Sequence, residues 1–242
     1  MLANRDCLQI KENWYDALAE LASYRHHNRE LVCQFGYDGK NVLFKRRNNI
    51  EVSKLSLEQT LQKVCLFDDI KVNDLSQKDL RLENRKVIRR IANKYYIYTE
   101  GAVDSLEDVE DLLSHSIRKI VLPYPMNPDL ALKFPKTRLT IGLTLASNDY
   151  SMVEAANLQV TPLKKVVDEL IRLDLHHSVQ VTLNREPIDE EELLKIARGL
   201  MLNFKDFGRV YLDSGITSIR ELRCLWRFPT LVPIVGGAFW ED

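Results

Sequence analysis

Residues 101–109 read Gly101-Ala102-Val103-Asp104-Ser105-Leu106-Glu107-Asp108-Val109, and residues 214–222 read Ser214-Gly215-Ile216-Thr217-Ser218-Ile219-Arg220-Glu221-Leu222. The two stretches are one pattern written twice, 113 residues apart. Each follows a β-branched and aromatic run, Tyr95 to Thr99 and Arg209 to Leu212, which reads as a buried strand. Each then places Ser-x-x-Asp/Glu at the head of an amphipathic stretch, the signature of a helix-opening capping box. Lys119-Ile120-Val121-Leu122 and Pro233-Ile234-Val235-Gly236 repeat the same period to within one residue. A period near half of 242 residues implies two similar halves, each with several β-α units. Two half-barrels of four units close into one eight-stranded barrel.

The rest of the chain supplies the remaining units. Leu31 to Phe35 reads as the first strand, followed by an Asp38-Gly39 turn and a loop hairpin through Val42-Leu43-Phe44. A capping box at Ser56 opens a helix to about residue 66; Ile70 to Leu75 is the second strand, and Asn84 to Asn93 the next helix. Arg118 to Leu122, Leu139 to Leu145, Val179 to Leu183 and Val232 to Val235 are strands four, five, six and eight. Thr161-Pro162 reads as the N-cap and first residue of a helix, and Asp189 to Glu192 puts acid at the positive end of another. The expected fold is therefore an α/β (β/α)8 TIM barrel over residues 31–242. Residues 1–30 form an additional N-terminal helical extension, in which Trp14, Leu18 and Leu21 make an apolar stripe suited to cover the barrel floor.

Composition narrows the function. A formal charge of −1 gives no footprint for nucleic acid or an anionic membrane. No apolar run approaches the ~18 residues of a membrane span, and Met1 to Gln9 lacks a signal-peptide core. Cys7, Cys33, Cys65 and Cys224 are scattered without a C-x-x-C pair, as expected for reduced thiols in a cytoplasmic protein. The five histidines fall in helices or at helix ends without ligand spacing, so neither a metal nor a cofactor is expected. Arg85-Lys86 and Arg89-Arg90 recur on one helix and read as a solvated face, and Lys45-Arg46-Arg47 as a surface run bordering the barrel mouth.

Glu100-Gly101-Ala102-Val103-Asp104-Ser105-Leu106-Glu107-Asp108, Asp213-Ser214-Gly215-Ile216-Thr217-Ser218 and Ile234-Val235-Gly236-Gly237-Ala238-Phe239-Trp240-Glu241 resemble the strand-three, strand-seven and strand-eight motifs of the histidine-biosynthesis barrels, the HisA/HisF family. Asn127-Pro128-Asp129-Leu130 and Gly142-Leu143 are similar to two further family segments, and the likeness is greater to the HisA isomerases. The resemblance implies an aldose-to-ketose rearrangement of a phosphoribosyl aminoimidazole compound. In that chemistry carboxylates on strands one and five serve as acid and base. Here the matching positions are Phe35 and Thr144, and neither side chain shuttles a proton near neutral pH.

The resemblance also implies phosphate binding on backbone N–H groups where glycine permits close approach. The corner at strands seven and eight keeps Ser214, Gly215, Gly236 and Gly237; the opposite corner keeps Gly101 and Ala102, but Pro123-Tyr124-Pro125 removes donors beside it. The reading is a divergent HisA-like barrel, monomer or homodimer, that binds a phosphorylated, sugar-phosphate-type small molecule, contacts neither nucleic acid nor membrane, and lacks the family's isomerase mechanism. Two alternatives stay open. One is an active isomerase or other sugar-phosphate enzyme with relocated catalytic groups, Asp213 and Asp74 first and Thr182 or Asn184 beside them. The other is a protein-interaction barrel, because a fold alone does not fix the reaction.

Overall fold

In a computed structural model, the described residues are 30–46, 49–64, 69–76, 81–101, 103, 105–146, 151–153, 160–184, 189–216 and 218–236. β1 (Val32–Tyr37) turns back into the antiparallel pair β2 (Val42–Arg46) and β3 (Asn49–Val52). Then follow α1 (Leu57–Val64), β4 (Asp69–Asp74), α2 (Arg81–Ala92), β5 (Ile97–Glu100), α3 (Leu106–Ser114), β6 (Lys119–Pro123) and α4 (Pro128–Leu132). The second half holds β7 (Leu139–Leu145), the short strands β8 (Ser151–Val153) and β9 (Val160–Pro162), and α5 (Leu163–Arg172). It ends with β10 (Ser178–Leu183), α6 (Glu190–Asn203), β11 (Arg209–Ile216), α7 (Ile219–Leu225) and β12 (Leu231–Val235).

Eight of these strands pair in parallel in the closed order β1, β4, β5, β6, β7, β10, β11, β12 and back to β1. The fold is a (β/α)8 TIM barrel. Its two halves correspond strand by strand. The first strand of each half, β1 and β7, carries an antiparallel excursion. Lys71 on β4 is in register with Tyr98 on β5, just as Gln180 on β10 is with Tyr211 on β11. Both repeated loops end in a capping box, Ser105 with Asp108 and Ser218 with Glu221.

Side-chain alternation sorts each barrel strand into two faces. On β1, Cys33, Phe35 and Tyr37 join the large apolar layer between barrel and helices. Val32 belongs to a small separate cluster with Tyr98, Tyr211, Val232 and Ile234, inside the barrel. Much of the rest of the interior is polar: Gln34, Lys71, Lys119, Thr140, Ser178, Gln180 and Asp213 are all buried, with Val121 among them. A barrel interior is ordinarily filled by branched apolar side chains. Here hydrogen bonds and ion pairs do that work.

Several expectations need correction. Thr161 and Pro162 lie in β9, and Pro162 itself occupies the N-cap position of α5 without a side-chain bond, because a pyrrolidine has no acceptor to offer. β11 does not stop at Leu212; it runs through Asp213, Ser214 and Gly215 to Ile216, keeping its pairing with β12 across a register shift. Arg85 is buried rather than solvated, because Asp108 and Asp111 on α3 bind its guanidinium and Asp111 also binds Arg89. The expected N-terminal extension, Ala102, Gly237 and Trp240 lie outside the described residues. Among the described residues, no helix is long and apolar enough to cross a membrane, and Cys33 and Cys224 are free thiols.

Candidate functional site

A cavity of about 320 Å³ opens at the C-terminal ends of the strands. Asp74 ends β4 and Glu100 ends β5, while Asp213 and Thr182 come from β11 and β10; all four line the cavity together with Gln34 and Asn73. Gly36 and Gly101 let the backbone form part of the wall, and Leu43, Phe44, Ile50 and Leu75 make its apolar side. The hairpin β2–β3 therefore roofs a polar floor. None of the described lining residues is a lysine, arginine or histidine.

The carboxylates differ in their partners. Glu100 is ion-paired with Lys71, which is 1% exposed, and accepts a bond from Gln180 Nε2 at 3.0 Å. Burial alone would raise the Glu100 carboxyl; the charge and hydrogen bond of Lys71, with the Gln180 amide, outweigh it and hold the group below the ordinary range. Asp213 is buried and accepts from Gln34 Nε2 at 2.9 Å, across the β12 strand that separates β11 from β1. Asp74 is engaged outside the barrel interior. Its Oδ1 accepts from the backbone N–H of Ser76 at 3.1 Å, from the Ser76 hydroxyl at 2.6 Å and from Asn84 on α2. Of the two acids named as relocated catalysts, Asp213 thus faces a polar barrel interior, and Asp74 closes a turn.

At the positions where the resembled family needs carboxylates, none is present. Phe35 is fully buried in the layer facing the helices, and the residues of β1 that alternate inward are Val32, Gln34 and Gly36. On β7 the inward set is Thr140, Gly142 and Thr144, again without an acid.

Of the residues expected to bind phosphate, Ser214, Gly215, Gly236 and Gly101 are among the described ones. Gly215 has φ +70°, inside the left-handed region, at the irregularity between Asp213 and Ile216. Ser214 beside it is 3% exposed, and its hydroxyl has no hydrogen-bond partner among the described residues. Gly236 follows directly on β12 and is half-buried. Gly101, at φ +98°, has a packing reason to be glycine: a Cβ there would lie 2.4 Å from the Asp74 carbonyl oxygen.

Toward the N-terminal end, the interior holds a second polar group. Lys119 Nζ donates to the Tyr211 hydroxyl at 3.0 Å and lies 5.7 and 5.1 Å from the ring centroids of Tyr98 and Tyr211. Burial, with the nearby Arg118 charge, pushes Lys119 down to about 8. Asp69 is raised by burial despite its bond from Arg118 at 2.7 Å. This group lies at the end of the barrel where side chains serve stability rather than chemistry.

Sequence reasoning passes over Gln34 and Glu100, which line the cavity, and Lys71 and Gln180, which hold Glu100 from below. The available signal is polar residues in mid-strand positions of a parallel sheet, where both faces are buried and apolar runs are the rule. No protein-family model matches the chain, and no curated protein matches it.

Proposed function

We propose that this protein is a divergent HisA-like barrel that binds a small phosphorylated, sugar-phosphate-type molecule at its C-terminal mouth and does not run the family's aldose–ketose rearrangement. The observation that carries the reading is at Ser214-Gly215: a buried hydroxyl with no partner among the described residues, beside a glycine in the left-handed region. A buried donor left unpaired costs about 1–3 kcal/mol, and a phosphate oxygen is the acceptor this kind of corner takes in (β/α)8 barrels. The absence of rearrangement chemistry is supported by Phe35 and Thr144 at the positions matching the family's acid and base, and by the inward-facing Gln34 beside Phe35, none of which transfers a proton as a carboxylate does.

The test is a thermal-shift titration with ribose 5-phosphate, ribose and inorganic phosphate. At 100 times Kd, a ligand that binds the folded state alone stabilises it by about 2.7 kcal/mol. Ribose 5-phosphate is expected to shift the melting temperature and ribose is not, with the shift lost in Gly215→Val. Equal response to ribose and its phosphate overturns the reading. So does turnover of the HisA substrate at about 1 per second or faster, an ordinary enzyme rate.

One observation favours a second reading, a sugar-phosphate enzyme with relocated acid and base. Glu100 and Asp213 occupy the same position of the repeat, and both line the same cavity. Its mark is a turnover abolished by Asp213→Asn with ligand binding retained.

A further inference from the structure

Glu100 and Asp213 stand at equivalent positions of the two halves, but within the described residues only Glu100 meets a cation. On β4, the neighbour in register with Tyr98 is Lys71, and it neutralises Glu100. On β10, the neighbour in register with Tyr211 is Gln180, which carries no charge and turns its amide to Glu100 at 3.0 Å and to Thr182 at 3.3 Å. Asp213, 8% exposed, is left with the Gln34 amide as its side-chain partner among the described residues. A buried carboxylate without a counter-charge is costly, and proteins keep one where a partner is supplied.

Gln34 adds a second, independent indication. It is 6% exposed, it lines the same cavity, and its Oε1 is buried without a hydrogen-bond partner among the described residues. Rotating the amide by half a turn does not remove the vacancy, because Oε1 would then face the Asp213 carboxylate, acceptor against acceptor. The Asn73 Oδ1 in the cavity wall is likewise unpartnered among the described residues. The floor thus offers acceptors, one of them charged, and asks for a compact cationic donor.

We infer that the cavity is built for a protonated primary amine carried on a small polar molecule, its ammonium donating to Asp213 and to Gln34 Oε1. Three N–H donors on one nitrogen match acceptors of this kind. The apolar side of Leu43, Phe44 and Ile50 receives the carbon skeleton. The amine site rests on Asp213 and Gln34; the phosphate reading above enters only in assigning the other end of the molecule, so that the full ligand is an amino-sugar phosphate in class.

The experiment is calorimetric titration of the full chain at about pH 6, where an amine of this type is protonated. The probes are glucose, glucosamine, glucose 6-phosphate and glucosamine 6-phosphate. Each amine is expected to bind at least about tenfold tighter than its hydroxyl counterpart, the scale of one charge-assisted hydrogen bond. In Asp213→Asn that ratio should fall towards one, with the unliganded melting temperature reporting whether the variant is folded. Glucosamine 6-phosphate binding no tighter than glucose 6-phosphate overturns the inference and leaves the phosphate reading standing. If neither ester outbinds its parent sugar, the phosphate reading fails, and the glucosamine–glucose ratio decides the inference by itself. A ratio of one, or no binding by either sugar, overturns it. The wild-type ratios stand as the test even if Asp213→Asn fails to fold.

Discussion

The hydroxyl oxygens of Tyr98 and Tyr211 lie 3.3 Å apart inside the barrel, although 113 residues separate the two in the chain. Their rings meet edge to face with centroids 5.6 Å apart, a favoured aromatic geometry. β5 and β11 stand on opposite sides of the closed sheet. The period seen in the sequence therefore has a physical counterpart: equivalent residues of the two halves touch across the interior. The same equivalence relates Glu100 to Asp213 and, by register, Lys71 to Gln180. What the halves share holds the barrel together, and where they differ in charge lies the cavity.

Lys119, beside this tyrosine pair, makes stability depend on alkaline pH. Burial lowers it from 10.5 to about 8, so between those values the unfolded chain binds a proton that the folded barrel does not. Stability then rises with pH across that window. Below it, the folded state carries the cost of a buried ammonium. Lys119→Met is expected to stabilise the protein at pH 7 by roughly 1–3 kcal/mol and to flatten the rise between pH 8 and 10. Urea midpoints of both proteins at several pH values check this; a wild-type advantage at pH 7 would contradict it.

The two capping boxes make a paired prediction. Ser105 and Ser218 each accept from the backbone N–H three residues on, at 3.2 and 3.3 Å. Ser105→Ala and Ser218→Ala are each expected to cost about 1 kcal/mol. Because the sites sit on separate helices with no shared partner, the double variant should show the sum within about 0.5 kcal/mol. Chemical denaturation of the three variants measures it.

How much of this is legible in the sequence varies with the physics of each segment. Leu139 to Leu145 reads correctly at both ends because an apolar, β-branched run follows directly on a proline-bounded turn. The capping boxes read correctly because their chemistry is local. The end of β11 does not, since Ser214-Gly215 has the composition of a turn and only pairing with β12 keeps it extended. The buried role of Arg85 depends on acids 23 and 26 residues away on α3, at Asp108 and Asp111, which no local pattern reveals. The polar interior beneath the cavity is hidden for a related reason. Gln34, Lys71 and Gln180 alternate with apolar residues as solvent-facing side chains would, and only closure of the sheet puts them inside.

Gly101→Ala should be among the more damaging single-methyl changes in the barrel. The residue has φ +98°, where L side chains are strained, and the added carbon would meet the Asp74 carbonyl oxygen at 2.4 Å. A loss above about 2 kcal/mol is expected from strain and backbone displacement together. Gly215→Ala, at φ +70°, carries the left-handed penalty of about 1–2 kcal/mol. Equal thermal-melt losses for the two would mean that contact with Asp74 adds nothing to the backbone strain.

The Lys71–Glu100 pair makes the sharpest energetic prediction, since Lys71 is 1% exposed. Lys71→Met leaves the carboxylate without its cation, and Glu100→Gln leaves an ammonium without its anion; each is expected to cost about 3–5 kcal/mol. The double variant removes both charges and should cost clearly less than the sum, a coupling that a double-mutant cycle isolates. The acid side gives the sign. Because the Glu100 carboxyl is held below the ordinary 4.5, the pair contributes fully above that pH and loses its contribution as pH falls through the lowered value. The gap between wild type and Glu100→Gln should therefore narrow on acidification below about pH 4. A gap that widens there would mean that the carboxylate is not held by Lys71, and with it would go the contrast that leaves Asp213 without a cation.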